Sequence, residues 1–193
     1  GSRAGVDVMT DSQVSVLAAG GLSNAGLIVE AADRTGVPLA IAAAMVEKES
    51  GGRNVYGHDT GGVFSVPGRD IEVTQENYGE FLRRVLAGEK SNGVGPAQIT
   101  YWTLHRDARN EGLNLANPED NMFFGLRLFA QYLGGDYSES SVKLAATRYN
   151  AGPAATSPNK YGNEVWEWAA RYKAALAGAS DAGGTTPTTT PTP

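Results

Sequence analysis

Two carboxylates near one helix end are the first residues whose placement could do chemistry. After Pro38, which suits a first helical position, Leu39, Ala42, Ala43 and Val46 recur at helical spacing. At about 100° per residue, Glu49 falls on the face of Leu39, Ala42 and Val46, and Glu47 projects roughly opposite. The pattern predicts Glu47 solvated and Glu49 turned toward the core side, beside the glycine-rich Ser50-Gly51-Gly52. Burial disfavours the charged form of a carboxyl group and raises its pKa. A carboxyl still protonated near neutral pH can serve as a general acid, as glycosidic bond cleavage requires. Periodicity alone leaves a second reading open, in which Glu49 sits at a fraying terminus paired with a lysine or arginine.

Other chemistries are bounded by composition. The chain has no cysteine, which excludes a disulfide framework and a thiolate metal site. It has 2 histidines, His58 and His105, too few for a histidine-rich metal site; a Ser-His-Asp triad would have to use one of them. The net charge is −5 with no basic stripe, which argues against a nucleic-acid partner. Hydrophobic residues make up 41% and charged residues 19%, a globular balance. No apolar run reaches the roughly 18 residues that span a bilayer, so no membrane insertion is expected.

The elements that must position Glu49 are mostly helices. Ser23 is expected to cap a helix carrying Leu27, Ile28, Ala31 and Ala32. Thr74 is expected to cap another, with Tyr78, Phe81, Leu82, Val85 and Leu86 as its stripe and Gly88 as its end. Asn117-Pro118-Glu119-Asp120 combines a cap, a proline and first-turn acids, and predicts a helix with Met122, Leu126, Phe129, Ala130 and Leu133 inward. Val142, Ala145, Ala146 and Tyr149 mark a helix ending near Gly152, and Val165, Trp168, Ala169, Tyr172 and Leu176 mark the last. Segments 51–73 and 89–100 are rich in Gly, Asn, Asp and Pro and read as loops with at most a small β-hairpin. Gly1-Ser2 reads as a cloning scar, 3–179 as one folded domain, and 180–193 as a Thr/Pro-rich interdomain linker.

Four segments in order carry a resemblance. They are Glu49-Ser50-Gly51-Gly52, Gly93-Val94-Gly95-Pro96-Ala97-Gln98-Ile99, Arg148-Tyr149-Asn150-Ala151-Gly152 and Lys160-Tyr161-Gly162-Asn163-Glu164-Val165. Together they resemble the lytic transglycosylases and goose-type lysozymes of the lysozyme superfamily, over about residues 25–175. The resemblance implies a mainly α, lysozyme-like domain with its cleft at the end of the catalytic helix. It implies Glu49 as general acid/base, and Ser50, Gln98, Tyr149, Asn150 and Tyr161 around the substrate. Gly95-Pro96-Ala97-Gln98 stands where the family has Gly-Leu-Met-Gln, so the apolar wall is expected to be shallower. Tyr101, Trp102 and Tyr161 are candidates for stacking on sugars, whereas Trp166 and Trp168 are assigned to packing.

Goose-type lysozymes carry two aspartates that position the attacking water. Alignment on Gln98 sets Glu89 at the first position and Thr100 at the second. Residues 54–88 read as an insertion, and Asp59 and Asp70 within it are alternative second acids, although turn roles suit both. The loss at Thr100 favours a 1,6-anhydromuramyl product over hydrolysis; Glu89 keeps the hydrolytic muramidase open. By the resemblance the substrate is peptidoglycan, cut between N-acetylmuramic acid and N-acetylglucosamine by a monomer without metal or cofactor. The site of action is the bacterial wall, reached by release at phage lysis or by secretion, with a further domain expected beyond the linker. A non-catalytic wall-binding module and a structural helical domain are the competing readings.

Overall fold

The structure, a computed structural model, describes residues 3–182, with side chains described from 10 to 179. Gly1-Ser2, expected as a cloning scar, and residues 183–193, in the expected linker, lie outside the described residues. The described residues form eight helices: α1 (Arg3–Ala19), α2 (Ala25–Thr35), α3 (Leu39–Glu49), α4 (Gln75–Leu86), α5 (Trp102–Asn110), α6 (Pro118–Leu133), α7 (Glu139–Ala151) and α8 (Lys160–Ala182). The mainly α class is as expected. The expected linker boundary at 180 shifts, because α8 continues to Ala182.

Helix α3 is the centre of the first lobe. Ile41, Ala42, Ala43, Ala44, Met45 and Val46 are all buried, so the helix is enclosed on every side rather than presenting one apolar stripe. Three consecutive alanines let α2 and α8 approach closely on opposite flanks. Enclosure also corrects the expectation for Glu47. It is half-buried under α8 and accepts a hydrogen bond from the Tyr172 hydroxyl at 2.6 Å. Leu17 and Ile28, then Met122, Leu126 and Phe129, and finally Val142 and Val165 complete this core.

Helix starts follow local chemistry with one exception. Asn117 caps α6 by accepting the Glu119 N–H at 2.9 Å, and Pro118 opens the helix. Thr74 caps α4 in a capping box with Asn77. Ser23 does not cap α2: Asn24 takes that position with φ 54°, and its Nδ2 donates to the Gly52 carbonyl at 2.8 Å. The α2 entry is thereby tied to the chain just past Glu49.

The second lobe spans the loops. Tyr56, Val73, Tyr78, Phe81, Val94, Ile99, Leu115 and Phe124 form its core. Of the expected α4 stripe, Tyr78 and Phe81 are buried, but Leu86 is 67% exposed. The expected hairpin reduces to isolated antiparallel bridges, Val55–Glu72, Tyr56–Val94, Val66–Arg69 and Val94–Ile99. Helix α5 was not foreseen in a stretch of mixed charge; it buries only His105 and Ala108. His105 donates from Nε2 to the Ile99 carbonyl at 3.0 Å, so its Nδ1 accepts from the Tyr78 hydroxyl at 2.8 Å. Burial pulls its pKa down to about 4, and the ring is a neutral part of the core.

Candidate functional site

A cleft of about 500 Å³ opens between the lobes. Its lining includes Glu49, Asp59, Gln98, Thr100, Tyr101, Arg148, Tyr149 and Asn150. These come from the end of α3, the 54–88 segment, the 93–101 loop and the end of α7, four stretches far apart in sequence.

Glu49 is the last residue of α3 and is partly buried. Tyr161, near the start of α8, donates its hydroxyl to Glu49 Oε1. Removal from water pushes the Glu49 carboxyl up to about 7, and the negative charge of Asp59 adds to that rise. The Tyr161 hydrogen bond and the Lys48 charge oppose it. Lys48 itself is ion-paired with Glu164, and its Nζ lies 4.8 Å from the Trp168 ring centre. Trp166 and Trp168 pack against the helical core, as expected.

The loop facing Glu49 is held by buried polar side chains. Val94 and Ile99 exchange backbone hydrogen bonds at 3.0 and 3.1 Å around a turn in which Gln98 has φ 52°. Asn121, fully buried at the start of α6, accepts the Ala97 N–H at 2.8 Å. Its Nδ2 donates to Val94 and Leu115 carbonyls at 2.9 and 3.1 Å. Tyr149 donates to the Ala97 carbonyl at 2.6 Å, so both peptide groups of Ala97 are claimed by side chains. Gly125 makes room for this: a Cβ there would lie 2.3 Å from Ala97 Cβ and 3.0 Å from the Tyr149 hydroxyl. The sequence pattern predicts the helix around Asn121 but gives the residue no role. An asparagine inside an apolar stripe was the available signal, because a buried amide must find partners.

Several residues expected at the substrate have polar atoms engaged within the protein. Ser50 is buried; its hydroxyl donates to the Pro96 carbonyl at 2.7 Å and accepts the Gly52 N–H at 3.0 Å. It couples the end of α3 to the facing loop rather than reaching the cleft. Gln98 lines the cleft, but its Nε2 is engaged by Val55 and Gly95 carbonyls at 3.0 and 2.9 Å. Its Oε1 lies in a cradle where a Cβ on Gly57 or Gly93 would come within 2.3 or 2.4 Å. Tyr149 serves the loop, whereas Tyr161 serves Glu49. Asn150 stands exposed at the rim, its Oδ1 accepting from Asn159 Nδ2 at 3.3 Å. Tyr101 is 60% exposed on the cleft wall, the geometry of a stacking platform. Trp102 is not among the lining residues.

The candidate second acids fall in different places. Glu89 is held on the surface in a two-point pair with Arg84, at 2.7 Å to each oxygen, outside the cleft lining. That guanidinium keeps its carboxyl below the usual range. Asp70 is likewise closed by Arg53 and by His58, the latter at 2.7 Å. Asp59 is the acid that reaches the cleft, its Oδ2 accepting the Gly93 N–H at 2.8 Å. Asn92 fixes this region: its Nδ2 donates to Gly57 O at 2.8 Å and Ser65 Oγ at 2.6 Å, and its Oδ1 accepts the Phe64 N–H at 2.9 Å. Among the described residues no group of three or more His, Cys, Asp or Glu is arranged to hold a metal ion, and no helix is long and apolar enough to cross a membrane.

Comparisons of the chain with protein-family models, with curated proteins and with solved structures find no match.

Proposed function

We propose that this chain is a lysozyme-like domain that cleaves the β-1,4 bond between N-acetylmuramic acid and N-acetylglucosamine in peptidoglycan. One observation carries the reading. Glu49 is a carboxyl recessed in an open cleft and aimed by a tyrosine, where burial pushes its pKa up to about 7. Such a group donates its proton to the leaving glycosidic oxygen and is left as a carboxylate able to act as base. Tyr101 supplies an aromatic face for a sugar ring, and Asn150 a rim amide for hydrogen bonding. The site of action is the bacterial wall.

Two products remain chemically open. Attack by the sugar's own 6-hydroxyl leaves a 1,6-anhydromuramyl end; attack by water leaves a reducing end. The absence of an aspartate at Thr100 favours the first. The placement of Asp59 in the cleft favours the second, because a carboxylate there can hold the water that Glu89 is too far removed to hold. Geometry therefore supports the hydrolytic muramidase better, with Asp59 in place of Glu89. Mass spectrometry of fragments released from purified peptidoglycan tests both levels. Reducing ends are expected; ends about one water lighter would instead mean the anhydro route. An undigested wall, with no fragments released, contradicts the proposal as a whole and leaves a binding or structural domain.

A further inference from the structure

The cleft contains a cation that proton transfer does not use. Arg148 lies in the last turn of α7 and is, among the described residues, the basic side chain that lines the cleft with Glu49 and Asp59. Its Nε donates to the Ala155 carbonyl at 3.1 Å, which fixes the plane of the guanidinium against the chain beyond α7. No acid of the described residues pairs with it, whereas Arg53 and Arg84 in the loop lobe are each closed by a carboxylate. With Nε anchored, the two terminal nitrogens form a fork that suits a planar, two-oxygen acceptor.

Charge sharpens the point. The chain carries −5 overall, and the cleft wall holds two carboxyl groups, Glu49 and Asp59. An anionic ligand entering such a cleft meets repulsion unless a cation is provided locally. We infer that Arg148 receives a carboxylate borne on the sugar strand and makes the cleft selective for carboxylate-bearing glycans over neutral ones. This deepens the proposed peptidoglycan reading and rests on it. The carboxylate has two available sources: the lactyl group of a peptide-free muramic sugar, or the end of an attached stem peptide.

The test measures binding by calorimetry in a Glu49→Gln background, which prevents turnover. Four ligands are compared: peptide-free strands, the same strands with the lactyl carboxyl amidated, strands with stem peptides, and a neutral N-acetylglucosamine oligomer. Binding of a carboxylate-bearing strand is expected to be about tenfold tighter than of its amidated or neutral counterpart. The arm showing the preference identifies the source. Added Arg148→Gln should abolish the preference while leaving neutral-oligomer binding in place, and Arg148→Lys should restore only part of it, because charge returns without the fork. A purely structural role for Arg148 would weaken all four ligands alike and leave their ratios unchanged. Should Arg148→Gln not fold, the carboxylate-to-amide ratio and its loss with added salt in the Arg148-containing protein decide alone. Binding that ignores the carboxyl overturns this inference while sparing the glycan reading; failure of every strand to bind overturns both.

Discussion

The two lobes flanking the cleft are built by different means. The helical lobe is held by apolar packing around α3, with side chains such as Leu17, Met45, Leu126 and Phe129 fully buried. The loop lobe has few helical residues and instead threads its backbone through two buried amides, Asn92 and Asn121, beside a small aromatic cluster. In that cluster Tyr56 lies 4.8 Å from Phe64 and 5.2 Å from Phe81, centre to centre. Each lobe contributes one acid. Glu49 terminates a rigid, enclosed helix, and Asp59 sits on a loop fixed by hydrogen bonds. The contrast teaches that Glu49, the proposed proton donor, is positioned by packing and Asp59 by polar networks, which fail differently when cut.

The sharpest way to separate the lobes is to remove one anchor from each. Asn121→Ala strands the Ala97 N–H and the Leu115 carbonyl, leaves the Val94 carbonyl with only the Ile99 N–H, and should cost about 3–5 kcal/mol in urea unfolding. Folded Asn121→Ala protein should also lose most glycan-cleaving activity, since the loop facing Glu49 loses its hold. Leu17→Ala, in the helical core and away from the cleft, should cost about 2–4 kcal/mol yet leave kcat of the folded protein within about twofold. Equal activity losses in both variants would break the comparison.

Next in size are effects on the shared boundary. Gly125→Ala forces a methyl against Ala97 and the Tyr149 hydroxyl, and should lower stability by about 1–3 kcal/mol with activity falling in step. The Glu49 carboxyl has the opposite sign. Its folded pKa, about 7, stands above the unfolded value of 4.5, so its contribution to stability is full below 4.5 and lost as pH rises to 7. Glu49→Gln should therefore raise the unfolding free energy at pH 8, by up to about 3 kcal/mol, and leave it little changed at pH 4. The smallest effect is Tyr161→Phe. Loss of its hydrogen bond removes an influence that lowers the Glu49 pKa, so the alkaline limb of the pH–rate profile should move upward by roughly half a unit to one unit.

Much of the helical lobe was legible because period and punctuation coincide there. Asn117-Pro118 acts in the structure as its local chemistry predicts, and so does Thr74 in the loop lobe. Glu49 was legible as the helix's last inward carboxylate. Asp59 was not, since a loop aspartate has no periodicity to indicate its direction, and the Gly93 N–H that orients it is 34 residues away. The same holds for Ser50, Gln98 and Tyr149, whose residue types suit ligand binding but whose polar atoms are engaged by backbone groups of the protein. Residue type alone could not tell a hydroxyl that meets a sugar from one that holds a turn. Glu89 was misplaced for a related reason: five residues from Arg84, it is captured by the nearest guanidinium before it can reach the cleft.

The central claim is that Glu49 is the proton donor, and one measurement addresses it most directly. The initial rate of glycan-strand cleavage on purified peptidoglycan at pH 6 is compared between the protein and its Glu49→Gln variant, both verified as folded. The variant keeps the shape and hydrogen bonding of the side chain but has no proton to give, so its rate should fall by about a thousandfold or more. A Glu49→Gln rate within about tenfold of the unsubstituted protein contradicts the account, whatever the product.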